Sequence, residues 1–136
     1  MDFFKTLAVA ASGLRAQAGR MRIISENIAN ADSTPSSPGA DPYRRKIATF
    51  QSEYDRALGV DVVELGKVMT DNSSFRIRHE PGHPAADAQG NVKYPNVNSL
   101  VEMTDMREAQ RSYEANINVI TATRRMVQRT LDILKA

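Results

Sequence analysis

Cysteine and tryptophan are both absent from the 136 residues, and aromatic residues make up only 6% of them. Without cysteine there can be no disulfide framework, thiol nucleophile or cysteine metal site. A cysteine-free chain suits cytoplasm and periplasm equally, so composition does not choose between them. The shortage of aromatics argues against a large core and favours an elongated or assembled structure. No apolar run approaches the length of a membrane-spanning helix. An excess of one charge is missing too: 18 Lys and Arg against 16 Asp and Glu leave +2, too little to point to nucleic acid. With 41% hydrophobic and 25% charged residues, the length fits one domain.

The first residues, MDFFKTLAVAAS, offer a lysine, a short apolar run and small residues at Ala8 and Ala10. Asp2 offsets Lys5, however, and the run from Leu7 to Ala11 is too short for a signal peptide. Gly13, Arg15 and Gln17 continue a helical pattern instead. No cleaved signal is expected.

Residues 79–83 read HEPGH, which matches the H-E-x-x-H pattern of zinc hydrolases. That pattern works on a helix, where positions four apart share a face and two imidazoles reach one ion. Here Pro81, Gly82 and Pro84 oppose helical geometry. No third histidine or cysteine exists to complete the ligand set. The segment is expected to be a loop, with no metal and no cofactor. Neither histidine lies near a marked nucleophile, and there is no glycine-rich phosphate loop. An enzyme and a small-molecule substrate are therefore not expected. A zinc-dependent hydrolase is kept only as an alternative.

What the chain does have is helical periodicity at both ends. From Phe3 to Ile28, Leu7, Leu14, Met21 and Ile28 recur at intervals of seven, with Phe3, Ala11, Ala18 and Ile24 between them. This predicts a helix with a narrow seam for one partner helix. Ala11 and Ala18 are the expected points of close approach, and Arg15, Arg20, Arg22 and Glu26 the opposite face. From Leu100 to Leu134, Met106, Tyr113, Ile120, Val127 and Leu134 repeat at sevens, broadened by Met103, Ile117 and Leu131. The stretch Ser99–Glu102 fits a capping box, and acids early with bases late complement the helix dipole. At 1.5 Å per residue such a helix is about 50 Å long. Arg124, Asn116 and Thr123 interrupt the seam, and polar residues there set register or partner choice more than stability.

Residues 30–42 are rich in Ser, Pro, Gly and Asp and read as a loop. KIATF reads as a short strand. VDVVELGKVMT and FRIRHE read as two strands around the turn DNSS, with Phe75, Ile77 and His79 sharing one face. VKYPN is a short extended piece before the last helix. The expected fold is mainly α with a small β insert. Long terminal helices pair as an antiparallel coiled coil around a middle that contains a β-hairpin. The expected division is 1–30 with 99–136 as one discontinuous helical domain, and 31–98 as the insert. Seams this narrow gain most of their stability from neighbouring copies, so self-assembly is expected. A generic self-assembling helical hairpin is the bland form of that reading.

Three stretches carry a resemblance: SENIANADST, PYRRK, and HPAADAQGNVKYPNVN followed by EMTDMREAQRSYEANINVI. Together they resemble the axial proteins of the bacterial flagellum, and within them the proximal rod proteins. In other rod and hook proteins the asparagine signature leads quickly to a G-Y pair; here a longer loop puts Pro42 before Tyr43. The resemblance implies a structural subunit of the periplasmic rod, built through its terminal helices around an export channel and transmitting torque. It implies delivery by the flagellar export apparatus without a cleaved signal. The implied partners are copies of itself, other proximal and distal rod proteins, and inner-membrane ring components at the rod base.

The residues expected at the assembly interface follow from the seams and from these stretches. On the helices they are Leu7, Leu14, Met21, Ile28, Met106, Tyr113, Asn116, Ile120, Val127 and Leu134. Asn27 and Asn30 either end the first helix or use their amides on a neighbour or on the inserted strands. Tyr43 is expected there from PYRRK, and Arg44, Arg45 and Lys46 form a basic run that is either solvated or paired with acids of adjacent subunits. Tyr94, Pro95, Asn96 and Asn98 set the entry of the last helix.

Overall fold

The computed structural model describes residues 2–136. Helix α1 (Phe3–Ala29) comes first and helix α2 (Ser99–Lys135) last. Between them lie β1 (Lys46–Ile47), β2 (Phe50–Asp55), β3 (Val60–Leu65), β4 (Met69–Thr70), β5 (Arg76–His79) and β6 (Asn91–Tyr94). The protein is mainly helical with a small β insert, as its periodicity predicts. The chain forms two compact units. One takes Met1–Met21, Thr49–Lys67 and Arg107–Ala136; the other takes Arg22–Ala48 and Val68–Met106.

In the first unit, α1 opens on Asp2, whose carboxylate accepts from the N–H groups of Phe4 (3.0 Å) and Lys5 (3.3 Å). Within this unit the helices pair antiparallel: Gly13 faces Asn116, and Arg20 reaches Glu108 at 3.6 Å. Strands β2 and β3 form a hairpin in register from Phe50↔Leu65 to Asp55↔Val60. Its turn closes on Asp55, which caps Ala57 and Leu58, while Gly59 supplies the positive φ of 67° that the return requires. The hairpin is fastened to α1: the Val63 N–H donates to buried Ser12 Oγ (3.1 Å), and Leu65 packs over Gly19.

In the second unit, β1 pairs antiparallel with β4, and β5 with β6. Ala85, Val92 and Tyr94 form a small buried cluster, and Ile23, Ile24 and Val97 are buried as well.

Several expectations change at this level. Strand β3 pairs with β2, and β5 with β6, so no hairpin forms around DNSS. In β5 the apolar face is the outer one: Ile77 is exposed, while the Arg78 guanidinium lies 4.6 Å from the Tyr94 ring centre. Long arginine stems cover the ring and keep their charge in water. The α2 cap is Asn98, whose side chain accepts from Leu100 N at 3.1 Å; Glu102 does not fold back but is buried elsewhere. Close approach on α1 comes from Gly13 and Gly19, whereas Ala18 is exposed. Arg20 and Glu26 are not free on a far face, since they pair with Glu108 and Lys46. Met103, Ile117 and Leu131 do not broaden a buried stripe but remain exposed.

Candidate functional site

Two features stand out, one in each unit. The first is a polar clasp in the second unit. Asn27, 1% exposed, sits on α1 and behaves like a piece of sheet edge. Its Nδ2 donates to Lys46 O (2.8 Å) while its Oδ1 accepts from Lys46 N (2.9 Å), so one amide satisfies both backbone groups of that residue. Nδ2 also donates to Glu102 (3.1 Å), and the Tyr43 hydroxyl donates to Oδ1 (2.7 Å).

Glu102, 1% exposed on α2, is neutralised by Arg45 through a direct Nε bond. Arg45 also faces Asp71 (3.6 Å) and Asp105 (3.5 Å), and its backbone N–H donates to Asn96 Oδ1 (2.8 Å). Burial alone would lower the Arg45 pKa, but the bond to Glu102 and the charges of Glu102, Asp71 and Asp105 outweigh it and raise the value. Burial likewise raises the Tyr43 hydroxyl, assisted by Glu26 and Glu102 and opposed by Lys46. Asp71 is held below its ordinary value first by the backbone N–H of Ser73, with Arg45 adding to the effect. Asn96 completes the clasp by donating to Asp71 O (3.0 Å) and Ser73 O (3.2 Å). Within the chain, Arg44 lies over Phe75 at 4.2 Å, and Lys46, itself exposed, meets Glu26 at 3.0 Å.

The other residues of this unit named from the sequence also bond within the chain. Asn30 Nδ2 donates to Glu26 O (2.9 Å) and so ends α1. Buried Tyr94 donates its hydroxyl to Glu80 (3.1 Å), and Pro95 O accepts from Arg76 Nε (3.0 Å). Arg76 also donates to Ala31 O at 2.6 Å, a role that nothing in its sequence position marks.

The second feature is the helix pair of the first unit. On α2 the seam positions there are Ala109, Tyr113, Asn116, Ile120, Thr123 and Val127, an alternation of three- and four-residue steps, with Ser112 half-buried beside them. Ala109 and Thr123 are buried and the other four half-buried. Leu7 and Leu14 on α1 are half-buried too, while Leu134 is 76% exposed. Phe3 and Leu7 line a cleft of about 280 Å³ with Val127, beside Phe4, which is 79% exposed.

The flanks of this seam decide what the pair can do. On one side stand Ile117 and Leu131; on the other stand Val119, Met126 and Ile133, and all five are exposed. In a finished two-helix pair these flanking positions are normally charged. Met21, Ile28 and Met106 are half-buried, while Met103, Leu100 and Val101 of the second unit add further exposed apolar surface.

HEPGH is a strand end followed by a turn. His79 closes β5 with Nδ1 3.3 Å from Asn91 Oδ1, and His83 Nδ1 accepts from Ala85 N at 3.0 Å. The two imidazoles do not share a helical face. Among the described residues, no group of three or more His, Cys, Asp or Glu is placed to hold a metal ion. No helix among them is long and apolar enough to cross a membrane.

Comparison with known proteins converges on one family. Residues 7–35 match the model of the flagella basal body rod protein family, and residues 88–133 match that of the flagellar basal body rod FlgEFG protein C-terminal family. The flagellar basal-body rod protein FlgC of Agrobacterium fabrum is 57% identical over 94% of this chain and 92% of its own length. FlgC of Salmonella typhimurium is 38% identical over 98% of both chains. FlgC of Bacillus subtilis is 36% identical over 99% of this chain and all of its own.

Proposed function

Since this chain belongs to the FlgC family of flagellar basal-body rod proteins, and is a structural subunit of that rod, we propose that it enters the rod through the open flanks of its terminal helices. The observation that carries this is the exposure of Ile117, Leu131, Val119, Met126 and Ile133 beside a seam that is already occupied. Apolar flanks on both sides call for more helices than one chain supplies. Further copies of the chain and the other proximal and distal rod proteins are the natural suppliers. Inner-membrane ring components meet it at the rod base, and the export apparatus delivers it.

In this reading the helices of residues 1–30 and 99–136 build the wall of a periplasmic shaft around the export channel, and residues 31–98 ride on it as the insert. The polar clasp keeps the insert and the helix ends from shifting when torque is applied. Asn27, Tyr43, Arg45, Tyr94, Pro95, Asn96 and Asn98 support the interface from inside the chain, while the seam residues support it from beneath the flanks. No catalysis enters the proposal.

The test separates folding from assembly. Ile117→Asp and Met126→Asp should leave the melting temperature of the purified chain close to wild type. Each should abolish swarming and remove rods from isolated basal bodies. Normal swarming with both variants would sink the proposal.

A further inference from the structure

The seam of α2 in the first unit carries apolar and polar layers in alternation. Tyr113, Ile120 and Val127 recur at intervals of seven. Such a series is indifferent to a slip of seven residues, because every apolar residue then meets an equivalent site. The choice of register and partner must come from the other layer. That layer holds Asn116 and Thr123, and Asn116 is folded back so that Nδ2 donates to Ser112 O at 3.0 Å.

Its carboxamide lies flat on the α1 backbone at Gly13. A Cβ built on Gly13 would stand 2.9 Å from Asn116 Nδ2, 3.0 Å from Oδ1 and 3.1 Å from Cγ. Asn116 in this pose therefore fits a position without a side chain, and a Cβ there would push its amide aside. Helix α1 has only one other glycine, Gly19, and that space is filled by Leu65, whose Cδ2 would lie 2.9 Å from a Cβ there. A slip of seven would set Asn116 against Thr6 or Arg20 instead. Helix α2 contains no glycine at all, so a second copy of α2 offers Asn116 no position without a side chain.

The geometry points to Asn116 as the residue that selects α1 as the partner of α2, with Gly13 as its receiver. Stability is given up for this choice. A leucine at that layer would bury more apolar surface. The selection matters because the apolar flanks of α2 invite helix partners of every kind.

The test uses the full chain in two arms. In the first, Asn116→Leu should tighten self-association about tenfold or more in analytical ultracentrifugation, because the amide no longer penalises α2 against α2. A single spin label at Arg111→Cys, in a chain with no other cysteine, should then report short distances between α2 helices of two molecules. In the second, Gly13→Ala is measured with Asn116 and with Asn116→Ala. Helix propensity contributes equally in both backgrounds, so a loss of stability confined to the Asn116 background reports the fit. Unchanged self-association of Asn116→Leu, or additive effects of Gly13→Ala and Asn116→Ala, would overturn the inference. Should Asn116→Leu fail to fold, the second arm decides alone.

Discussion

The clasp of the second unit and the helix pair of the first use opposite economies. In the clasp nearly every polar group has a partner within the chain: Asn27 serves four groups and Arg45 faces three carboxylates. In the helix pair a narrow seam is closed while apolar side chains on both flanks stay open. The difference teaches where to look for stability and where for association. A saturated polar network resists change and offers nothing to a neighbour. Unpaired apolar surface costs little to alter in the free chain and everything in an assembly.

Substitutions should break that contrast in order of size. The largest loss is expected from Glu102→Ala, which leaves Arg45 without its closest counter-charge in a buried site. About 3 kcal/mol is expected, the low end for a broken buried pair because Asp71 and Asp105 still face Arg45. Urea denaturation measures it. Asn27→Ala comes next at about 2 kcal/mol, since Lys46 N–H and O lose their partners together.

Acid should weaken the clasp in a defined direction. The Asp71 pKa is lowered in the folded chain, so its contribution is present above the ordinary value of 3.8 and is lost as pH falls through the lowered value. A stability profile across that range should fall for the wild type and flatten for Asp71→Asn. Outside the clasp the sign reverses. The Glu53 pKa is raised, first by its hydrogen bond to Glu64 and then by that residue's charge, so its contribution is present below the ordinary 4.5 and lost as pH rises through the raised value. Glu53→Gln should therefore raise the melting temperature slightly at neutral pH and leave it unchanged in acid. Smallest of all is the effect of Ile117→Asp on the free chain, within about 0.5 kcal/mol, as for an ordinary surface position.

The helices were legible because heptad spacing is a local, repeated signal, and both run within a residue or two of where periodicity puts them. Which side of a seam stays open was not. Met103, Ile117 and Leu131 look like core by spacing, and only the three-dimensional pair shows that one partner cannot cover them. The clasp joins residues 27, 43–46, 71, 96 and 102, and no periodicity connects such distant positions. Glu102 carried one readable hint, a charge at a seam position, but its capping-box pattern pointed elsewhere. Strand pairing failed for a similar reason. Alternation identifies a strand without naming its partner, although Asp55–Gly59 held a usable turn signal between β2 and β3. The backbone of HEPGH was legible, because Pro81 and Gly82 disfavour a helix there, and His79 ends β5 with a turn after it.

The most direct test of the open flanks uses the absence of cysteine. Ile117→Cys and Met126→Cys each give the chain a single thiol, to be labelled with a maleimide in the free protein and in isolated basal bodies. Rapid labelling of the free protein with strong protection in the basal body is the predicted result. Equal labelling in both states would show that the flanks stay bare in the rod, and would contradict the account.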